Sequence, residues 1–309
     1  MLEDDPLREK PCTHAGAITQ HQECELVAGC DIDPERRRRF GERWDCTRLF
    51  ASAVELLETV RPDIVCVATH PDTHLSMVQS AAAAGVRVVV CEKPLAHTLG
   101  DGRRIARLHR SGKVTVLTNH ERRYAEDYRA VKRLVESEEL GRLLGVQGTL
   151  YFGRTARHDH VLLHDGTHLV DAVNFLTGHV LRTERVVGRV RSASSSAYLH
   201  GRAGGVPVVI EVGSERDHLV FEVELSFERG RARVGNGVYR IEKSGPSPYY
   251  QGYSSLATQT SGFSEKTGYF INMIADAVAC LKEPGRRPVS SAQDGYEVLR
   301  FIRAARSMR

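Results

Sequence analysis

Three short apolar runs rich in β-branched residues, DIVCVAT (63–69), VRVVVC (86–91) and VTVLT (114–118), recur between helical segments. This alternation restricts the first half of the chain more than any other feature. The runs are continuous rather than alternating, the pattern of strands buried on both faces. The segments between them, 72–84 and 98–111, read as helices, and Gly85 is placed to close the first. Strand and helix alternating at this spacing mean βαβ units, and right-handed crossovers then make a doubly wound parallel sheet. Upstream, LVAGC (26–30) is a short apolar run ending at Asp31. Residues 34–44, with Pro34 in the first turn, and 53–60 read as helices.

After residue 124 the pattern changes. Helices are expected over 125–139 and over 166–176, the latter ended by Gly178. Strand-like segments follow at 144–152, 184–192, 207–212, 218–227 and 231–242. Segment 218–227 (HLVFEVELSF) alternates, which gives a sheet one covered face and one open or partner-covered face. Residues 245–262 read as a long loop, and helices are expected over 265–282 and 293–307. A length of 309 residues suits two domains.

Composition excludes several functions. The 43 Lys and Arg stand against 39 Asp and Glu, interspersed, for a net charge of +4, so there is no footprint for nucleic acid. No apolar run reaches the roughly 18 residues of a membrane span, and the charged start MLEDDPLREKPC has no signal-peptide core. Seven scattered cysteines without a CxxC read as reduced thiols of a cytoplasmic protein.

The stretch VVVCEKPLAHTL (88–99) places Glu92, Lys93 and Pro94 at the end of a parallel strand, and there it resembles the Gfo/Idh/MocA family of sugar and cyclitol dehydrogenases. Further matching features occur in family order. They are His74 in the preceding helix, Asn119, Arg122, Arg123 and Tyr124 at the domain junction, and Gly166, His168 and Asp171 in HDGTHLVD. The resemblance implies a Rossmann-like NAD(P)-binding domain over 1–122 and an α/β substrate and oligomerisation domain, with a largely antiparallel open sheet, over 123–309. It also implies reversible hydride transfer between a nicotinamide cofactor and a sugar, cyclitol or related polyol, in a homodimer or homotetramer.

The same resemblance exposes a departure. Residues 13–31 are similar to the family's first helix and second strand, yet residues 1–15 hold no apolar run and no glycine pair. They supply neither the first strand nor the GxGxxG loop that presents backbone donors to a pyrophosphate. Either these lie upstream of Met1 in a longer protein, or the short form is the whole domain. The first reading is favoured because the rest of the domain is fully patterned. The sequence as it stands predicts weak or absent cofactor binding.

Candidate site residues follow from position and chemistry. Asp31 ends a strand where a carboxylate bonds the adenosine ribose hydroxyls and favours NAD, with NADP possible; Arg36 to Arg39 are either a solvated helix face or a 2′-phosphate clamp. Thr69, His70 and Pro71 follow a strand terminus, where open parallel sheets bind ligands, and the resemblance adds His74 and Glu92 to the cofactor contacts. Lys93 is the candidate to hydrogen-bond the reacting hydroxyl, and His168 the candidate general acid/base. His164 stands where the family commonly has an aspartate, beside Asp165; either the substrate differs or Asp165 or Asp171 supplies the charge. Asn119, Arg122, Arg123, Tyr124, Asp165 and His168 are the candidate substrate contacts. The i, i+4 pair His164 and His168, near His158 and His160, invites a zinc reading, but HDGTH is not HExxH and no metal is expected. A non-catalytic protein binding a sugar-like ligand or a partner is the alternative from another class, as is a truncated inactive form.

Overall fold

The structure, a computed structural model, describes residues 2–153, 158–192, 196–262 and 267–308. The chain forms two compact units, Met1–Tyr124 with Gly268–Tyr296, and Ala125–Thr267 with Glu297–Arg309.

In the first unit α1 (His14–Gln20), β1 (Gly29–Cys30), α2 (Pro34–Trp44), β2 (Leu49–Phe50), α3 (Ala53–Val60), β3 (Ile64–Val67), α4 (His74–Ala83), β4 (Val88–Cys91), α5 (Leu99–Arg110) and β5 (Thr115–Thr118) follow one another. Side-chain caps start four of the helices: Thr13 on α1, Asp33 on α2, Ser52 on α3 and Thr98 on α5 each accept a backbone N–H of the first turn. Strands β3, β4 and β5 pair in parallel, in that order, and β4 is buried at every residue. β1 and β2 form a separate parallel pair. Among the described residues no ladder joins β1 to β3, so β3 is an edge strand with Ile64, Val65 and Cys66 only partly buried. The apolar run expected over 26–30 is strand only at Gly29–Cys30.

The chain crosses between units more than once, which corrects the single boundary expected at 122. The helix Tyr269–Lys282 returns to the first unit because Phe270, Met273, Ile274 and Ala277 pack with Val88, Val90, Leu117, Tyr124 and Ala17 in one core. Burying each of Val88, Val90, Leu117, Met273 and Ile274 contributes on the order of 1.5–3 kcal/mol.

The second unit contains α6 (Glu126–Ser137), β6 (Leu143–Phe152), α7 (His158–His164), α8 (Gly166–Thr177), β7 (Leu181–Val187), β8 (Ser196–Ala203), β9 (Val206–Gly213), β10 (Leu219–Phe227), β11 (Gly230–Gly235), β12 (Val238–Pro246) and β13 (Ser254–Gly262). Helices α9 (Tyr269–Lys282) and α10 (Ala292–Ser307) complete the chain, and the division between units falls within α10. The eight strands form one sheet in the order β13-β12-β11-β10-β6-β9-β8-β7, antiparallel except for the parallel pair β6–β9. Inward residues such as Leu150, Ile210, Leu199, Phe221 and Val223 are buried. Helix α8 lies against β6 and β10, and at Gly148 a Cβ would stand 3.2 Å from Leu169 Cδ2, so the small residue admits the helix.

Three local expectations change. The strand expected over 231–242 is a hairpin, turning at Asn236-Gly237 with Gly237 at φ +75°. The loop expected over 245–262 is mostly strand. β13 is an exposed edge without an apolar face, which hydrophobic patterning does not register. β8 was not expected, because two of its inward residues are alanines and one a glycine.

Candidate active site

The carboxyl ends of β3, β4 and β5 carry a cluster of hydrogen-bonded polar side chains. The ladders run one residue past the strands: Glu92 N–H donates to Val67 O at 2.9 Å and Asn119 N–H to Cys91 O at 2.8 Å. Glu92 and Asn119 are thereby fixed side by side, and Asn119 Nδ2 donates to Glu92 Oε1 at 2.7 Å. The same oxygen meets His14 Nε2 at 2.9 Å, from the first residue of α1. Glu92 Oε2 accepts the Lys93 N–H at 3.1 Å, and the Lys93–Pro94 peptide is cis. The His14 ring packs edge-on against Phe270, centroids 5.4 Å apart.

Burial alone would push the Glu92 carboxyl up. Bonds from His14, Asn119 and the Lys93 amide reverse this and hold it at about 2. Burial likewise opposes charge on His14, but Cys66 and Glu92 beside the ring raise it to about 10. The pair is an imidazolium and a carboxylate. Glu121 belongs to the same neighbourhood: burial raises its pKa, against the pull of Arg122 and Lys93 and together with repulsion from Glu92. Sequence reasoning missed His14 and Glu121 as members. Only the placement of His14 at the start of the first helix could have signalled it.

Asp31 follows β1, and its Oδ1 accepts the Asp33 N–H at 2.9 Å. Arg36 lies 3.8 Å from Asp33, Arg38 bonds Glu35 and Glu42, Arg39 bonds Glu35, and Arg37 donates to the carbonyls of Asp31 and Ile32, so these arginines serve their own helix and its entry. Thr69 and His70 are exposed and Pro71 is half-buried at the end of β3. His74 is fully buried, with Nδ1 3.2 Å from Leu95 O and Nε2 3.0 Å from Thr69 O. It braces the two strand-end loops from beneath and presents no surface to a ligand, which corrects its expected cofactor contact.

Two of the expected substrate contacts also turn inward. Tyr124 is wholly buried and its hydroxyl donates to Asp276 Oδ2 at 3.0 Å. Arg123 donates to Val289 O at 2.8 Å and lies 3.4 Å from Asp294. Both hold the core of the first unit. Arg122 is half-buried.

In the second unit His164 closes α7 and is exposed, Asp165 precedes α8, and His168 and Asp171 are buried on α8. The break at Asp165 separates His164 and His168 into two helices, so they do not share a continuous helical face. His158 is buried, facing Arg189 O with Nδ1 and the Ser214 hydroxyl with Nε2, and His160 is exposed. Among the described residues no group of three or more His, Cys, Asp or Glu could hold a metal ion.

Asp31, Thr69–Pro71 and Glu92 stand at carboxyl ends of parallel strands, where such sheets bind dinucleotides, and the buried Asn119 Oδ1 beside Glu92 has no hydrogen-bond partner. The strand ends fit such a group. At the start of α1, however, the Cys12 N–H and the Thr13 hydroxyl go to the Glu3 carboxylate.

Residues 12–120 match the family described as an oxidoreductase family with an NAD-binding Rossmann fold. The D-apiose dehydrogenase of Paraburkholderia graminis is 28% identical, over 91% of this chain and 80% of that enzyme. The inositol 2-dehydrogenase of Acidothermus cellulolyticus is 27% identical, over 92% and 85%. A dehydrogenase structure from Chromobacterium violaceum superposes with a TM-score of 0.80 at 18% identity, covering 93% of this chain and 88% of that one. In residues 12–120, and in its pairing of a parallel-sheet unit with a second unit built on a mostly antiparallel sheet, the chain is similar to the Gfo/Idh/MocA oxidoreductases.

Proposed function

We propose that the protein oxidises a carbinol of a sugar or cyclitol, or reduces the corresponding ketone, with NAD as the preferred cofactor. The observation that carries this reading is the ionised Glu92, pinned by His14 and Asn119 at the end of β4 and followed directly by Lys93. When bound, the nicotinamide supplies the hydride acceptor. Lys93 is the residue proposed to bond the reacting hydroxyl, lower its pKa and polarise the carbonyl in reverse. Glu92 fixes the backbone from which Lys93 projects. Asp31 is proposed to accept ribose hydroxyls and to repel a 2′-phosphate. His168, buried on α8, is proposed as the proton carrier, and Asp165 and Arg122 as polar contacts to the substrate. The names of the two relatives favour a branched pentose or an inositol.

Absorbance at 340 nm with D-apiose, other pentoses and inositols, each with NAD and with NADP, tests the reading. Reduction of NAD with one class of polyol supports it. No turnover with any member, although calorimetry detects NAD binding, overturns it. A non-catalytic reading draws on one observation, the Glu3 carboxylate on the donors at the start of α1; Glu3→Gln restoring NAD binding would remove that support.

The open face of the eight-stranded sheet carries Glu222, Glu224, Arg231, Arg233 and Glu242 in cross-strand ion pairs, and Arg240 pairs with Glu242 within β12. We assign it to a homodimer contact, which sedimentation velocity tests. Among the described residues no helix is long and apolar enough to cross a membrane. The seven free cysteines suit the cytoplasm.

A further inference from the structure

We infer that β13 is a homotypic docking edge, which pairs antiparallel with β13 of a second copy of this chain about a two-fold axis at Leu256. β13 closes one end of the eight-stranded sheet, and among the described residues no strand pairs with its outer side. It runs for nine residues, Ser254–Gly262, without a charged residue or a proline. Such an edge is a template for another strand unless it is guarded. The opposite edge, β7, is guarded: it carries Arg182, Glu184 and Arg185, and its register shifts between Thr183 and Arg185. From Ser254 to Thr258, β13 pairs without interruption with Pro246 to Glu242, and its bulge comes after, at Gln259. That leaves a straight run centred on Leu256.

The side chains of that run select a second copy as the occupant. Antiparallel pairing about Leu256 sets Leu256 against its own counterpart, Ala257 against the partner's Ser255 and Thr258 against the partner's Ser254. A charge at the two-fold would meet its like, and this strand has none. Thr–Ser pairs hydrogen-bond across strands, and Leu256 gains apolar cover. The hairpin tip adds further apolar area beside the run: Tyr249, Tyr250, Tyr253 and Leu256 are exposed by 78, 70, 73 and 45%. The tip is already ordered. Ser247 N–H donates to Tyr253 O at 2.9 Å, and Ser247 Oγ accepts the N–H groups of Tyr249 and Tyr250 at 3.2 and 3.3 Å and the Ser255 hydroxyl at 2.8 Å. Tyrosines held in this way lose little freedom on burial. Arg240 Nη2 donates to Thr258 Oγ1 at 2.7 Å, so Ser254, Leu256 and Thr258 share the face of the sheet that carries the ion pairs. Pairing in the plane of the sheet leaves that face available for the contact assigned to it above, and it is independent of the catalytic reading.

The test is sedimentation velocity of the full chain as wild type, as Leu256→Lys, as Leu256→Glu and as an equimolar mixture of the two variants. Each variant alone sets like charges across the two-fold and is expected to weaken association by about tenfold or more, halving the mass of the largest species. The mixture is expected to regain that mass, which a misfolded hairpin would not do. A mixture of Ser254→Cys with Thr258→Cys, treated with a short bis-maleimide, is expected to give a covalent dimer joined from position 254 of one copy to position 258 of the other, located by mass spectrometry. A monomeric wild type, a Leu256→Lys variant that sediments like wild type, a mixture that does not recover, or absence of the 254-to-258 link overturns the proposal.

Discussion

His14 and Glu92, from the first turn of α1 and the end of β4, meet at 2.9 Å as an imidazolium and a carboxylate. Their linkage to pH has a definite sign. His14 is raised from 6.5 to about 10, so its contribution is complete below 6.5 and is lost as pH rises toward 10. Glu92 is lowered from 4.5 to about 2, so its contribution is complete above 4.5 and is lost as pH falls toward 2. Both are complete between 4.5 and 6.5. The difference in unfolding free energy between wild type and Glu92→Gln, from urea denaturation, is expected to be greatest in that window and smaller at about pH 9. A difference that grows from acid to alkaline pH would contradict the ion pair.

Much of the first unit was legible because its strands are buried on both faces and its helices carry sequence-local caps. Asp33 before Pro34, and Thr98 three residues before Asp101, announce their helices. The strand-end positions of Asp31, Thr69 and Glu92 follow from the same βαβ pattern. What sequence could not show is direction. Tyr124 and Arg123 read as donors toward a ligand, yet both point into a core completed by α9 from about 150 residues downstream. For His14 the only local signal was its place at the start of the first helix, since its partner is 78 residues away. In the second unit, β13 escaped because an exposed edge strand needs no apolar side chains, only a ladder.

Lys93→Met removes the ammonium but keeps much of the side chain's length. If Lys93 bonds the reacting hydroxyl, kcat falls by about 10²- to 10⁴-fold, the range for loss of a positioned proton-transfer group. NAD affinity, measured by calorimetry in the absence of substrate, changes little. A variant that loses affinity while keeping kcat would place Lys93 on the cofactor instead. His168→Gln in the same assay is expected to lower kcat by a similar factor.

Asp31→Ser tests cofactor choice. The carboxylate is the acidic side chain following β1, and a charge-assisted hydrogen bond to a ribose hydroxyl contributes about 1.5–3 kcal/mol. The substitution is expected to weaken NAD by roughly tenfold or more and to narrow the gap to NADP. Arg36 to Arg39 are engaged with their own helix and its entry, so NADP is expected to gain by loss of repulsion rather than by a new clamp. Unchanged constants for both cofactors would remove Asp31 from the site and leave it the turn residue that bonds Asp33.

Tyr124→Phe separates a core role from a binding role at a residue whose sequence position suggested the latter. The hydroxyl donates to Asp276, a 5% exposed carboxylate that also accepts the Val289 N–H at 2.8 Å. Removing the phenol oxygen leaves one oxygen of a buried charge less well bonded, a loss of about 1.5–3 kcal/mol for a hydrogen bond to a charged group. The expected outcome is a lower urea midpoint with an unchanged slope, and an unchanged KM for substrate in the protein that remains folded. A raised KM at wild-type stability would mean that the phenol faces the ligand after all. Asp276→Asn in the Tyr124→Phe background then isolates the coupling: if the two groups act through their mutual bond, the double variant is less destabilised than the sum of the single ones.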